Sequence, residues 1–171
     1  MIKSIIILCI FAFITSSCKD FGNKLNPLYG KVYGNINDIP ELKKWKNLGG
    51  CVIDVGKKEK NGFGIGFFKD DNENIIYTFE KFLERDESGK AKYKILDTIN
   101  IGKLKDNEII VCRVCRQDEV FDSEIIAIVI ADDKDVFDRI VKAWRADTKT
   151  GRFTKIENLN KITCENEWYG V

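Results

Sequence analysis

Two stretches with alternating side chains decide the fold that the sequence predicts: residues 62–68 read GFGIGFF, and residues 74–84 read NIIYTFEKFLE. Neighbouring side chains of a strand point to opposite faces, so each stretch places its large apolar side chains on one face. The polar residues 86–89, which read DESG, lead from the second stretch to residues 92–99, another alternating stretch. We therefore expect a β-hairpin within an antiparallel sheet.

Three further stretches predict strands, at residues 108–116, 124–131 and 153–156. The second of them is rich in isoleucine and valine on both faces rather than on one. Strands of this composition lie in the middle of a sheet and are covered on both sides. We expect residues 124–131 to form such a central strand.

Two segments predict helices. Residues 132–146 carry an apolar stripe at helical spacing, formed by Val136, Phe137, Ile140, Val141 and Trp144. Residues 39–48 predict a shorter helix, with Asp38 as its cap, Pro40 in its first turn and Gly49-Gly50 after its end. The predicted fold is α+β, an antiparallel sheet of about five or six strands with the C-terminal amphipathic helix packed on one face.

The N-terminus predicts export. Lys3 is followed by an apolar run from Ile5 to Ile14, which is shorter than the roughly 20 residues of a spanning helix. Small residues at positions 15–17 precede Cys18. This segment resembles the signal of bacterial lipoproteins, and the resemblance implies cleavage before Cys18 and attachment of diacylglycerol and palmitate-type acyl chains to that cysteine.

The lipoprotein resemblance implies an organisation and a location. Residues 1–17 would be the signal peptide, residues 18–28 a lipidated tether, and residues 29–171 a single domain. Lys19, rather than an aspartate, follows the cysteine, and in lipoprotein sorting this implies the outer membrane, on its periplasmic face or at the cell surface. The anchor itself makes the membrane a partner, because two or more acyl chains hold a protein stably.

The composition excludes several function classes. The chain has 28 Lys and Arg, 27 Asp and Glu, and no histidine. The absence of histidine excludes Ser-His-Asp and Cys-His catalysis and removes the commonest metal ligand. The balanced charge gives no basic excess for nucleic acid, so we expect no nucleic-acid partner. No motif indicates a cofactor or a metal site.

Four cysteines follow the anchor: Cys51, Cys112, Cys115 and Cys164. Outside the cytoplasm an even set favours disulfides. Cys112 and Cys115 form a C-x-x-C pair, but in a strand residues three apart point to opposite faces. We therefore expect Cys115 to bond Cys164 and Cys51 to bond Cys112, with buried free thiols and a redox or metal site as the alternatives.

For two other motifs we favour a structural role over a ligand-binding role. The glycines of residues 62–66 are not followed by a helix, so they predict a bare strand face where another element packs closely rather than a phosphate loop. The acidic run of residues 70–74 departs from the EF-hand pattern and predicts a polar hairpin turn. Trp168 and Tyr169 can stack on a sugar or a partner, or close the edge of a core.

Part of the C-terminus resembles small bacterial lipoproteins of unknown activity. The resemblance is carried by residues 143–153, which read AWRADTKTGRF, together with Cys164 and Tyr169-Gly170. It covers about a fifth of the chain and implies only that Cys164 is a structural cysteine.

Three functional hypotheses remain. The first is a non-enzymatic, membrane-tethered binding or interaction module, such as an immunity protein, an inhibitor or an envelope assembly factor, with an envelope protein or an incoming toxin as its partner. The second is a carboxylate-dependent hydrolase of envelope glycans, although no pair of carboxylates stands out as catalytic. The third is a thiol redox protein.

Overall fold

A computed structural model describes residues 26–54 and 62–170, which form thirteen strands in three antiparallel sheets. The strands are β1 Val32–Tyr33, β2 Lys46–Asp54, β3 Phe63–Lys69, β4 Ile75–Arg85, β5 Ala91–Gly102, β6 Glu108–Cys112, β7 Cys115–Gln117, β8 Val120–Phe121, β9 Ile125–Ile130, β10 Val136–Phe137, β11 Ile140–Asp147, β12 Arg152–Lys155 and β13 Ile162–Glu165. The described residues contain no α-helix, only short 3-10 turns. The predicted α+β fold is therefore wrong, and the fold is all-β.

Sheet A has the strand order β1-β5-β4-β3-β2. Strands β3, β4 and β5 follow one another as hairpins, which confirms the hairpin predicted from residues 74–99. The two turns are closed by aspartates: Asp70 and Asp86 each accept hydrogen bonds from backbone N–H groups two and four residues further along the chain. The acidic run that begins at Asp70 is thus a polar hairpin turn, as predicted.

A segment of irregular chain covers the outer face of sheet A. This N-terminal segment, residues 26–45, is fixed to β5 by backbone hydrogen bonds from Gly30 to Ile95 and from Ile95 to Lys31. The apolar cluster between the segment and the sheet consists of Leu28, Ile36, Ile39, Leu42, Phe68, Ile76 and Ile95, all buried. The buried position of Leu28 makes this segment part of the folded domain.

Sheet B, with the order β12-β11-β9-β6, lies in the middle of the molecule. Ile126 and Ile128 of β9 pack with Tyr77 and Phe79 of sheet A in one apolar core. The intervening side chains of β9 belong to a second core, which sheet B shares with sheet C. Strand β9 is therefore covered on both faces, as its composition predicted.

Sheet C has the order β10-β13-β7-β8. The chain passes from sheet B to sheet C between Cys112 and Cys115, where Arg113 adopts a φ of 66°. Cys112 packs against the core between sheets A and B, whereas Cys115 lies in the core between sheets B and C. The two cysteines of the C-x-x-C pair thus lie in different cores, as predicted, although they belong to two strands rather than to the single strand expected over residues 108–116.

The predicted C-terminal helix over residues 132–146 is replaced by two strands of different sheets. Strand β10 belongs to sheet C and β11 to sheet B. Both faces of β11 are covered, since Ala143 lies in the core facing sheet C and Trp144 packs towards sheet A. The apolar residues of this segment therefore pack into two different cores. Their spacing of three and four positions is the same as that of the apolar stripe of an amphipathic helix.

The predicted helix over residues 39–48 is also wrong. Only Pro40–Leu42 form a 3-10 turn, and β2 begins at Lys46. The two glycines expected to follow the helix lie inside β2: Gly49 has a φ of 115° at an irregularity in the pairing with β3. A Cβ on Gly50 would lie 2.4 Å from the backbone oxygen of Ile65. These glycines allow a bulge and a close strand contact.

Candidate functional site

A cleft of about 570 Å³ lies between the N-terminal segment and sheet A, and we call it the Trp45 cleft. Its aromatic and polar lining consists of Asn26, Glu41, Trp45, Asp97, Thr98 and Asn100. Leu28, Leu42 and Ile76 supply apolar surface. The volume lies in the range of small-molecule sites, and such a mixture of an aromatic ring with amide and hydroxyl groups suits a polar ligand with an apolar face.

Asn26 fixes the two walls of the Trp45 cleft relative to each other. Its Nδ2 donates to Oγ1 of Thr98 on β5 at 2.8 Å. Its Oδ1 accepts from the backbone N–H of Leu28 at 3.0 Å. Because one side chain bonds both the N-terminal segment and the sheet, the cleft is preformed, which lowers the entropy that binding would cost.

Both carboxylates of the Trp45 cleft have partners within the protein. Glu41 forms an ion pair with Lys31 at 3.0 Å, and the backbone N–H of Glu41 together with Lys31 lowers the pKa of its carboxyl group. Asp97 accepts from the backbone N–H of Thr98 and, through Oδ2, from that of Phe153 on β12, each at 2.9 Å. A glycosidase acid requires a raised pKa, so Glu41 is unsuited to that role.

A buried carboxyl group, Glu80, lies beneath the N-terminal segment. It is 5% exposed, and its Oε1 accepts hydrogen bonds from Oη of Tyr33 at 2.5 Å and from Oγ1 of Thr78. Burial raises the pKa of Glu80, although both hydrogen bonds act in the opposite direction. A Cβ on Gly66 would lie 2.7 Å from both Glu80 Oε1 and Thr78 Oγ1, so the bare glycine face makes room for this pair.

The disulfide predicted between Cys115 and Cys164 is present. It joins β7 and β13, in which the two cysteines lie directly opposite each other. Both cysteines are almost fully buried, at 0% and 1% exposure. The bond therefore lies within the core between sheets B and C, where it stabilises the small sheet C.

Cys51 and Cys112, which we expected to form the second disulfide, are free thiols in this structure. They are half-buried on strands of the two facing sheets, and each thiol affects the pKa of the other. The interaction with Cys51, aided by the charge of Arg113, lowers the pKa of Cys112, and the interaction with Cys112 together with burial raises the pKa of Cys51. The disulfide that we expected between Cys51 and Cys112 stays a prediction.

Trp168 and Tyr169 lie on a turn at the C-terminal end of the described chain, where they are 80% and 52% exposed. Asn166 holds the start of this turn by donating to the backbone oxygen of Lys134 at 2.8 Å. Exposed aromatic side chains of this kind are available to a partner, and they do not close the edge of a core.

The predicted signal peptide and the lipidation site Cys18 lie outside the described residues. Residues 26–54 and 62–170 contain no helix that is long and apolar enough to cross a membrane. In the same residues, no cluster of three or more His, Cys, Asp or Glu side chains is placed to hold a metal ion. Comparison with protein-family models, curated proteins and solved structures found no match to this chain.

Sequence reasoning missed the Trp45 cleft and the Glu80 cluster. The sequence placed Asn26 in the predicted tether and Trp45 in the predicted helix over residues 39–48, so nothing indicated that they line one cleft. Glu80 occupies the polar face of an alternating strand, and such a face is usually solvated. The run of glycines in β3 is the signal that could have indicated the burial of Glu80, because a strand face without side chains leaves room for neighbouring side chains to pack against it.

Proposed function

We propose that this protein is a lipoprotein anchored through Cys18 outside the cytoplasm, and that its domain is a non-enzymatic binding module for envelope glycans. The observation that supports the ligand class is the half-buried ring of Trp45 beside amide and hydroxyl groups in a preformed cleft. Sugars present an apolar ring face to an aromatic side chain and hydroxyl groups to amides and carboxylates.

The state of the carboxylates supports binding rather than hydrolysis. A glycosidase needs one protonated acid and one carboxylate that is free to act on water or on the sugar. In the Trp45 cleft, Glu41 is paired with Lys31 and has a lowered pKa, and Asp97 bonds backbone N–H groups. These carboxylates can orient hydroxyl groups of a ligand without taking part in acid–base chemistry.

The binding proposal is tested by titrating the full-length, detergent-solubilised protein with peptidoglycan fragments and surface polysaccharides in a calorimeter. Trp45→Ala should weaken glycan binding about tenfold, because stacking on an aromatic ring contributes about 1–1.5 kcal/mol. Trp168→Ala is the matched control, since it removes an exposed tryptophan outside the cleft and should leave the affinity unchanged.

Three results would contradict the binding proposal. One is the absence of binding to any glycan, and another is loss of binding in Trp168→Ala but not in Trp45→Ala, which would indicate a partner at the C-terminal turn. The third is shortening of the glycan during incubation, abolished by Glu41→Gln, which would indicate the hydrolase instead.

The anchor is tested separately. Metabolic labelling with a palmitate analogue should mark the wild-type chain in the membrane fraction, and Cys18→Ala should abolish both the label and the membrane association. An unlabelled chain that keeps Met1 would contradict the proposed processing.

A further inference from the structure

Cys51 and Cys112 lie on the end strands of two facing sheets. Strand β2 is the last strand of sheet A, and β6 is the last strand of sheet B. Their cysteines pack against the same core, and each thiol affects the pKa of the other. Two half-buried thiols on such end strands can be reached by a thiol reagent or by another protein.

The surroundings of the two cysteines are unequal. Arg113 follows Cys112 directly, and its positive charge favours the thiolate of Cys112, whereas the carboxylate of Glu167 opposes it. On the core side lies Tyr77, which is fully buried and whose hydroxyl group has no hydrogen-bond partner within residues 26–54 and 62–170. Cys112 is therefore the more reactive sulfur, and Cys51 lies beside it as a second thiol.

We propose that Cys51 and Cys112 form a thiol–disulfide site, oxidised by exchange with the disulfide of an extracytoplasmic oxidoreductase. The thiolate of Cys112 attacks one sulfur of the donor disulfide, the donor S–S bond breaks, and the released donor thiolate takes up a proton. Cys51 then loses its proton and attacks the Cys112 sulfur, which releases the second donor thiolate. Two thiols of this protein are oxidised to a disulfide, and the donor is reduced to a dithiol.

The two cysteine pairs differ in access and therefore in their expected chemistry. Cys115 and Cys164 are almost fully buried within sheet C, and reduction of that bond requires the core to open. Cys51 and Cys112 are half-buried, and their bond would join β2 to β6 across the edges of sheets A and B. Neither cysteine lines the Trp45 cleft, so a negative result for the thiol–disulfide proposal would leave the glycan proposal unaffected.

The test treats the full-length protein with glutathione disulfide, stops the exchange with acid, and alkylates the remaining thiols before a peptide map reports each cysteine separately. The expected result for the wild type is a peptide pair joined through Cys51 and Cys112, released by mild reductant while the Cys115–Cys164 bond stays intact. Full alkylation of both thiols after oxidation would overturn the proposal, and this measurement requires no variant.

Two single variants test which cysteine attacks first. In Cys51→Ser, Cys112 should accumulate as a mixed disulfide with glutathione, because no second thiol is present to release it. In Cys112→Ser, Cys51 should remain largely unmodified over the same time. Equal modification in the two variants, or faster modification of Cys51, would refute the assignment of Cys112 as the attacking sulfur.

Discussion

Replacing Cys115 and Cys164 together by alanine should destabilise the protein by about 4 kcal/mol, on the chain-entropy model for the loop that the disulfide closes. The bond joins residues separated by 49 positions. Opening that loop gives the unfolded chain more conformations and leaves the folded chain nearly unchanged. Domains of this size are stable by about 5–15 kcal/mol, so the double variant should fold with a much smaller margin.

The assay is urea denaturation of the wild type and the double variant, each with and without a reductant. Without reductant, the two free energies of unfolding should differ by the full amount. With reductant, the unfolded wild type is no longer cross-linked, and only the packing of the two buried sulfur atoms distinguishes the proteins. Cys51 and Cys112 are present in both chains, so their contribution cancels.

The comparison between the two solvents decides whether the reasoning is correct. A difference that persists unchanged in reductant would show that packing, rather than restriction of the unfolded chain, supplies the stability. A difference below about 1 kcal/mol without reductant, the size of an ordinary point mutation, would show that the unfolded state gains little from opening the loop.

Further predictions concern the buried acid and the glycines. Burial raises the pKa of Glu80. The contribution of Glu80 to the free energy of unfolding is therefore fully present below the pKa of an unfolded glutamate. It falls by about 1.4 kcal/mol per pH unit as the pH rises from there towards the pKa of Glu80 in the folded protein. Glu80→Gln should remove this slope, measured as the difference between the unfolding free energies of the two proteins across pH; parallel curves would refute it. Gly50→Ala should cost about 1–3 kcal/mol, because its Cβ would lie 2.4 Å from the Ile65 oxygen. Gly34→Ala is the control, since its nearest neighbour is at 3.7 Å, and equal thermal midpoints for the two glycine variants would contradict the steric argument.

The sequence predicts strands well where one rule decides them. The alternation in residues 62–68 and 74–84 indicates which side chains enter the core between sheets A and B, and the structure confirms the hairpin. The isoleucine-rich β9 is confirmed as a central strand because only a strand covered on both sides can bury apolar side chains on both faces.

The helices were wrong because periodicity does not report which sheet a residue serves. Phe137 of sheet C and Ile140 of sheet B pack in the core between sheets B and C. Val141 and Trp144 pack against the core between sheets A and B, so the spacing reflects two cores rather than one helical face. A short apolar pattern fits both interpretations, and the tertiary arrangement decides between them.

The candidate sites also include features that the sequence predicted and features that depend on tertiary packing. The divergence of Cys112 and Cys115 was predicted from a single strand, but in the structure it arises where the chain passes from sheet B to sheet C at Arg113. The Trp45 cleft depends on how irregular chain from Asn26 to Trp45 lies over a sheet, which no local pattern specifies. Rejecting a Cys112–Cys115 bond left two possible pairings, and no local pattern favoured Cys51 with Cys112. The structure places both against one core, where each affects the pKa of the other.

The three sheets divide the chain in the order in which it is synthesised. All strands of sheet A lie before residue 103, and all strands of sheets B and C lie after residue 107. A ribosome therefore delivers a complete set of hydrogen-bonding partners for sheet A while Tyr77 and Phe79 still lack the layer that shields them. A nascent chain halted at that point would expose an aromatic surface that is prone to aggregation. A chaperone that holds unfolded chains would therefore matter most while the second half of the chain is being made.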